Sequence, residues 1–320
     1  MARNDTPVLV ADVGGTNTRV ALARGATLVS GTTERYRNAD HTSLETVLAE
    51  FLSRHRNCPQ RAAIALAGPV RGARAEMTNL GWTINAPDLA RMTGIHKVGL
   101  LNDLQAQGHA LAHLPKSHLR MIREGAARDA SVPQARLVIG LGTGVNIAPV
   151  YPAGTRVVVP PAEAGHIHLP LRGAQDYRLA DWLVARRGIA SVEDVLSGKG
   201  LERLYAFHAE EAGGARALAS AQIMAALNDA EPLAMATGRH YVRLLAQVAA
   251  DLALIVLPFG GIYLIGGMAR AFTPWLERFG FDAQFTDMGR FSDLVAQVPI
   301  ALVEDDYAAL QGCAAYLSEG

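Results

Sequence analysis

Hydrophobic and polar positions in the first third of the chain predict a mixed sheet with helices. Apolar and polar residues alternate on both sides of Gly14-Gly15, which is typical of a β-hairpin. Apolar residues at helical spacing follow Thr42 and Ser43, either of which can cap a helix. The predicted elements are strands over 8–12 and 18–22, a helix over 44–51, strands over 62–67 and 98–101, and a helix over about 102–111.

The rest of the chain predicts a second unit of the same kind. Residues 114–135 are polar and irregular, and a second hairpin is expected around the Gly140-Leu-Gly142-Thr-Gly144 turn. Helical spacing dominates from Trp182 to Ala250. Strands are then predicted over 262–265, ending at Gly266-Gly267, and over 300–303, before a last helix over about 307–317 that could return to the first domain.

Length and composition narrow the class of protein. A chain of 320 residues exceeds the usual size of one hydrophobic core, which predicts two domains. Apolar residues make up 50% and charged residues 19%, so the chain is expected to fold compactly. Thirty basic side chains balance thirty acidic ones, and no net field favours nucleic acid or anionic lipid.

Cysteine usage and the apolar segments indicate a protein of the cytosol. Cys58 and Cys313 match no metal-binding spacing and fit free thiols in a reducing compartment. The N-terminal residues carry no apolar stretch typical of a secretory signal. Residues 252–269 are uncharged, but Pro258 and the following glycines divide them into a helix end and a short strand, which predicts soluble core rather than a membrane span.

Three predicted strands each end in a glycine cluster. Glycine lets the backbone approach an anion closely, and successive turn N–H groups form a concave set of donors for phosphate. One cluster alone is more often a plain tight turn, but three together favour phosphate binding. The clusters are Asp12-Val-Gly14-Gly15-Thr16-Asn17, Gly140-Leu-Gly142-Thr143-Gly144 and Gly266-Gly267-Met268.

The known phosphate-binding fingerprints fail in detail. The third glycine of a dinucleotide motif would fall at Val145, and the sequence contains no P-loop pattern. A nucleotide held by hairpin turns of two domains remains. Asp12 could then bind Mg²⁺ directly or through water, or instead cap its own turn.

Several polar residues could carry chemistry. Asn102-Asp103, between a strand and a helix, could cap the helix, supply a general base for a sugar hydroxyl, or do both. At an ordinary pKa of about 3.9 the Asp103 carboxylate is ionised at neutral pH and needs no special environment to act as a base. Glu163 and His166 could bind hydroxyls, whereas His166 with His168 is weak support for a metal site. Glu193 is by itself an ordinary solvated acid, and Asn79 near Trp82 is found in plain loops as well as in carbohydrate sites.

Taken in order, these motifs resemble the bacterial ATP-dependent glucokinase family, within the sugar kinase, Hsp70 and actin fold group. The resemblance spans almost the whole chain. Its motifs are Asp12-Val-Gly-Gly-Thr-Asn17, Met77-Thr-Asn79 with Trp82, Leu101-Asn-Asp103, Gly140-Leu-Gly-Thr-Gly144, Glu163-Ala-Gly-His166, Glu193 with Val195-Leu-Ser-Gly-Lys-Gly-Leu201, Ile265-Gly-Gly267 and Gly289-Arg-Phe291.

The resemblance implies an α/β protein with the two-domain sugar kinase/actin-like (ribonuclease H-like) fold, a mixed β-sheet in each domain and the active site in the interdomain cleft. The smaller domain is expected at 1–113 plus 304–320 and the larger at 114–303. The implied reaction is phosphorylation of the 6-hydroxyl of glucose with MgATP, the first step of glycolysis. A cytoplasmic homodimer is implied as well, with ATP and Mg²⁺ as cofactors.

Site residues follow from the same resemblance. Asp103 is expected to be the base for the 6-hydroxyl, and Asp12 the Mg²⁺ ligand. Asn79, Asn102, Glu163, His166 and Glu193 are expected to bind the sugar together with Asp103. Phosphate and nucleotide contacts are expected from Asp12, Gly14, Gly15, Thr16, Asn17, Gly142, Thr143 and Gly144, with Gly266 and Gly267 beside the adenosine.

Departures from the family pattern leave the sugar open. Ala162 and Ala164 flank the first Glu where the family usually has glycines, Asn146 replaces another glycine, and His168 stands near a common acidic position. Contacts worth about 1–3 kcal/mol separate glucose from mannose, glucosamine or fructose. A non-catalytic sugar sensor on this fold is the other alternative, although the first strand at Val8 leaves no room for a preceding helix-turn-helix.

Overall fold

The chain contains both strands and helices, and a computed structural model describes it over residues 6–55, 59–77, 80–126 and 132–319. The strands are β1 Val8–Val13, β2 Asn17–Arg24, β3 Thr27–Leu28, β4 Glu34–Arg37, β5 Arg61–Leu66, β6 Val70–Arg71, β7 Arg74–Met77, β8 Trp82–Asn85, β9 Lys97–Asn102, β10 Leu119–Arg123, β11 Arg136–Leu141, β12 Val145–Ala153, β13 Arg156–Val158, β14 Ile262–Ile265 and β15 Ile300–Val303. The α-helices are α1 Leu44–Arg54, α2 Ala86–Thr93, α3 Asp103–Ala110, α4 Ala174–Arg187, α5 Glu193–Leu196, α6 Gly198–Glu211, α7 Ser220–Asn228, α8 Pro232–Val256, α9 Gly267–Leu276, α10 Phe281–Thr286, α11 Ser292–Val295 and α12 Ala308–Glu319.

The chain divides into two compact units. The first contains Met1–Lys116, Pro152–Pro161 and Asp305–Gly320, and the second contains Ser117–Tyr151 and Ala162–Glu304. The C-terminal helix α12 thus belongs with the N-terminal strands. Residues 152–161, which the domain prediction includes in the larger domain, group with the first unit.

The main sheet of the first unit has the order β3-β2-β1-β5-β9, and β4 also pairs with β2. The β1–β2 hairpin is antiparallel, as its alternating pattern predicts, whereas β1, β5 and β9 are parallel. Apolar side chains cover both faces. One face packs with α1 and α2, and the other packs with α3 and α12.

The sheet of the second unit includes β10, β15, β14, β11 and β12 in that order. Both parallel and antiparallel pairs occur, so the predicted mixed sheet is confirmed in each unit. The long helix α8 supplies much of the buried core beside this sheet. Of the helices described, none is both long and apolar enough to cross a membrane.

The prediction of irregular structure over 114–135 is wrong for β10. This strand pairs antiparallel with β15 at the edge of the sheet, and none of its residues is fully buried. A strand that faces solvent lacks the apolar alternation on which the prediction depends.

Candidate active site

Parallel strands bring the polar residues of the first unit to one edge of its sheet. Asp12 pairs in register with Ala65 of β5, and Leu66 of β5 pairs with Asn102 of β9. Ligands of α/β sheets bind at the carboxyl ends of such strands. Asp12 and Asn102-Asp103 therefore lie at the same end of the sheet, where the carboxyl ends of β1 and β9 lie, although about ninety residues separate them in the sequence.

The first glycine turn connects β1 and β2. Gly14 N–H donates to Asn17 O (3.0 Å), and Gly15 and Thr16 are exposed. Asn38, which the sequence analysis did not identify, supports the turn from below: its Nδ2 donates to Gly14 O (2.8 Å), and its Oδ1 accepts from Thr18 (2.7 Å). Since Asn38 is only 2% exposed, these hydrogen bonds connect the exposed turn to a buried side chain and fix its position.

Asp12 is partly buried and forms a salt bridge with Arg19. Arg19, its cross-strand partner, donates to Asp12 Oδ2 (3.2 Å) and lies over the Tyr307 ring at 5.8 Å. Burial raises the pKa of Asp12, and the Arg19 guanidinium opposes that rise. Among the described residues no group of three metal-ligating side chains occurs. One carboxylate suits Mg²⁺, which usually keeps several waters and binds substrate phosphates.

Asn102 and Asp103 form the first turn of α3. Asn102 is the capping residue, with its Oδ1 accepting from Leu104 N–H (3.0 Å) and its Nδ2 donating to Gly68 O (3.1 Å). Asp103 Oδ1 accepts from the same Leu104 N–H (2.9 Å). The two interpretations of this pair, helix cap and polar site, are compatible in the structure, because Asp103 keeps an oxygen for a ligand.

The carboxyl group of Asp103 is tuned, contrary to the expectation of an ordinary pKa. Burial, together with the nearby charge of Asp12, raises its pKa to about 6, although N–H donors at the helix start oppose the change. A base with a pKa closer to neutrality accepts a proton more effectively and is still ionised at pH 7.

The second glycine turn connects β11 and β12 in the second unit. Gly142 N–H donates to Gly144 O (3.0 Å), and Gly198 N–H at the start of α6 donates to Gly142 O (2.9 Å). Thr143 and Gly144 are exposed. The turn therefore lies beside a helix N-terminus, where backbone N–H groups favour anions.

The third glycine turn abuts the second. Gly266 has φ +106°, and a Cβ at this position would lie 2.3 Å from Leu141 O, so the backbone geometry requires glycine. Gly267 then begins α9. The structure thus brings the second and third predicted clusters together at the ends of the adjacent strands β11 and β14.

Glu193 is held against the start of β12. Val145 N–H donates to Glu193 Oε2 (2.9 Å), which leaves Oε1 for another partner. A Cβ on Gly144 would lie 2.7 Å from that same oxygen. The absence of a side chain at Gly144 therefore serves the placement of Glu193 as well as the turn.

Glu163 and His166 are both exposed and lie at the two ends of a 3₁₀ turn next to the same strand. Glu163 precedes the turn, Ala164–His166, and His166 is its last residue. Asn146 Nδ2 donates to Ala162 O (2.6 Å) and to Glu163 Oε2 (3.3 Å), and its Oδ1 accepts from Ala164 N–H (3.0 Å). The departure from glycine at position 146 thus supplies the support for this turn. Ala162 and Ala164 pack their methyl groups against the core of the unit.

Backbone hydrogen bonds join this turn to the segment that carries Glu193. Val192 N–H donates to Ile167 O (3.1 Å), and Leu169 N–H donates to Ala190 O (3.0 Å). Gly165 is buried so tightly that a Cβ there would lie 1.9 Å from Val145 O. Glu163, His166 and Glu193 are therefore assembled around β12, whereas Asn79 lies outside the described residues.

Comparisons with known proteins agree with these motifs. The family described as Glucokinase matches residues 9–320. A glucokinase of Chelativorans sp. is 33% identical over 315 residues, covering 98% of this chain and 91% of the relative. One from Pseudomonas aeruginosa is 34% identical over 320 residues, covering 97% and 94%. A solved glucokinase from an Antarctic psychrotroph has a TM-score of 0.88 at 31% identity, covering 98% and 99%. The predicted sugar kinase fold is thus confirmed.

Proposed function

Because the chain belongs to the glucokinase family, we propose that it transfers the γ-phosphoryl group of MgATP to the 6-hydroxyl of glucose. The products are glucose 6-phosphate and ADP, and the reaction is the one that opens glycolysis. Family membership over nearly the whole chain supports the reaction. The observation that carries the chemistry is the partly buried Asp103 at the sheet edge, with its pKa raised to about 6.

Asp103 acts as the general base. Its free carboxylate oxygen accepts the proton of the sugar 6-hydroxyl as that oxygen forms a bond to the γ-phosphorus. The bond from the γ-phosphorus to the β–γ bridging oxygen breaks, and ADP leaves with that electron pair. Since the transition state for phosphoryl transfer is loose, alignment of the hydroxyl contributes more than the strength of the base.

The remaining sugar hydroxyls are bound by Asn102, Glu163, His166 and Glu193. Glu163 and His166 are exposed, and Glu193 uses only Oε2 within the protein, so each has polar atoms for a ligand. Asn79 stays a prediction of the family resemblance. Carboxylate and imidazole groups around a sugar discriminate well between hydroxyls, because an unpaired buried partner is costly.

ATP binds to the glycine turns. The exposed backbone at Gly15-Thr16 and at Thr143-Gly144 offers N–H groups to phosphate oxygens, and Gly266-Gly267 lies next to the second of these turns. Asp12 would hold Mg²⁺ directly or through water. The ion, when bound, neutralises charge on the phosphates. The homodimer, the cytoplasmic location and the domain boundaries stay predictions.

The decisive experiment measures ADP release with MgATP and a panel of glucose, mannose, fructose, glucosamine and N-acetylglucosamine. Asp103→Asn is the test variant, and Asp181→Asn, at an exposed carboxylate of α4, is the matched control. We expect glucose-dependent turnover that Asp103→Asn abolishes and Asp181→Asn preserves. Near-normal turnover in Asp103→Asn would refute the role of the base. Turnover on another hexose alone would refute glucose as the substrate, and none on any sugar would refute the reaction.

A further inference from the structure

We propose that Gln105 is a positioning residue that fixes the orientation of Asp103 by joining the first turn of α3 to the segment 152–161. This inference rests on the proposed function of Asp103. Gln105 Oε1 accepts from Asn102 N–H (3.1 Å), and Gln105 Nε2 donates to Val159 O (2.8 Å). One side-chain amide thus holds both the residue before the base and a remote backbone carbonyl.

The two partners determine the orientation of the amide. An N–H group needs an acceptor and a carbonyl needs a donor, so only the observed placement of Oε1 and Nε2 satisfies both. Glu and Gln are favoured at this third helical position because they close a capping box with the residue that begins the helix. The bond to Val159 is additional to the capping box, and a Glu at position 105 would not form it.

Val159, whose carbonyl accepts from Gln105, lies in a conformationally restricted segment. It is buried, at 7% exposure, and Pro160 and Pro161 follow it in the sequence. Proline restricts both its own backbone and that of the preceding residue. The carbonyl that accepts from Gln105 is therefore part of a stiff segment, which leads within four residues to Glu163.

The remainder of α3 is held independently of Gln105. A Cβ on Gly312 of α12 would lie 1.7 Å from Ala106 O, so the two helices are in close contact there. Farther along α3, His109 Nδ1 lies 3.2 Å from Glu319 Oε2. Loss of the Gln105 side chain should consequently free the first turn and leave the helix in place.

Three variants separate positioning from stability. Gln105→Met keeps the volume and removes both bonds. Gln105→Glu keeps the acceptor for Asn102 N–H and removes the donor to Val159. Gln222→Met is the matched control, because Gln222 Oε1 at the third position of α7 accepts from Ala219 N–H (3.0 Å), as Gln105 Oε1 at α3 accepts from Asn102 N–H.

The test measures kcat, KM for ATP, the melting temperature and amide hydrogen exchange at Asn102 for each variant. The kcat values are compared on the alkaline plateau of the pH profile, where protonation of Asp103 does not contribute. Gln105→Met should lose about tenfold in kcat, because a small misplacement of a reacting group is costly, with KM for ATP within about twofold. Its Asn102 amide should exchange faster. Gln105→Glu should keep the protection of Asn102, yet lose severalfold in kcat. Its melting temperature should fall modestly, because the Val159 carbonyl loses its donor.

Three results would overturn the inference: unchanged kcat in Gln105→Met, the same loss of kcat in Gln222→Met, or full kcat in Gln105→Glu. Faster exchange at Asn102 with normal kcat would show that Gln105 orders the turn without positioning the base. Failure of the wild-type protein to phosphorylate any sugar would instead refute the proposed function, and the exchange data would still report on the two hydrogen bonds.

Discussion

Replacing Asp103 with Asn should stabilise the protein while abolishing turnover. The Asp103 carboxylate is charged at neutral pH, although burial and the nearby charge of Asp12 disfavour the charged form and raise its pKa. An amide has the same shape and keeps an oxygen that can accept from Leu104 N–H, but it carries no charge against Asp12. The substitution therefore removes an unfavourable electrostatic interaction from the folded state together with the proton acceptor.

The size of the effect follows from the pKa. A rise from 3.8 to about 6 corresponds to about 3 kcal/mol. The folded protein binds the Asp103 proton more tightly than the unfolded chain does. The stability that this proton contributes is therefore fully present below pH 3.8 and is lost as the pH rises through about 6. Allowing for partial solvent contact, we expect Asp103→Asn to raise the free energy of unfolding at pH 8 by about 2 kcal/mol.

Urea unfolding at pH 8 and at pH 4.5, monitored by fluorescence and circular dichroism, tests this expectation. The stability difference between Asp103→Asn and wild type should shrink to less than half at the lower pH, where the native carboxyl group is already protonated. The exposed control Asp181→Asn should change stability by less than about 0.5 kcal/mol at both. Equal stability of Asp103→Asn and wild type at pH 8 would refute the electrostatic reasoning.

Three further predictions concern activity and the supports of the site. The value of kcat/KM for the sugar should fall as the pH drops through about 6, because protonated Asp103 accepts no proton; a flat pH–rate profile across that range would contradict this. Gly165→Ala should lower the melting temperature and raise KM for the sugar, since its Cβ would lie 1.9 Å from Val145 O. Gly173→Ala, whose Cβ would have open space among the described residues, should leave both unchanged. Asn38→Ala should lower the free energy of unfolding by about 1–3 kcal/mol and raise KM for ATP, which calorimetry and initial rates measure. An unchanged KM for ATP would exclude a role for Asn38 in shaping the Gly14-Gly15 turn for ATP.

Local patterns were sufficient where a residue's role depends on its neighbours in the chain. Alternation around Gly14-Gly15 predicts the β1–β2 hairpin, and the apolar run before Gly266 predicts β14 with its observed bounds, Ile262–Ile265. The Asn102–Gln105 spacing is itself a capping-box signal in the sequence, and the structure contains that box. By contrast, β10 gives little signal, because an edge strand open to solvent has no apolar face to alternate.

By itself the sequence determined the β1–β2 and β11–β12 hairpins, the glycine turns and the family, because each depends on residue types at short spacing. Only the tertiary structure decided the chemistry of Asp103, since its raised pKa depends on burial and on Asp12, far away in the chain. Asn38 beneath the first turn and the contact of Gly165 with Val145 likewise involve residues about twenty positions apart. Burial and through-space charge arise only when the chain folds, so the linear pattern names the candidate residues and the packing determines their properties.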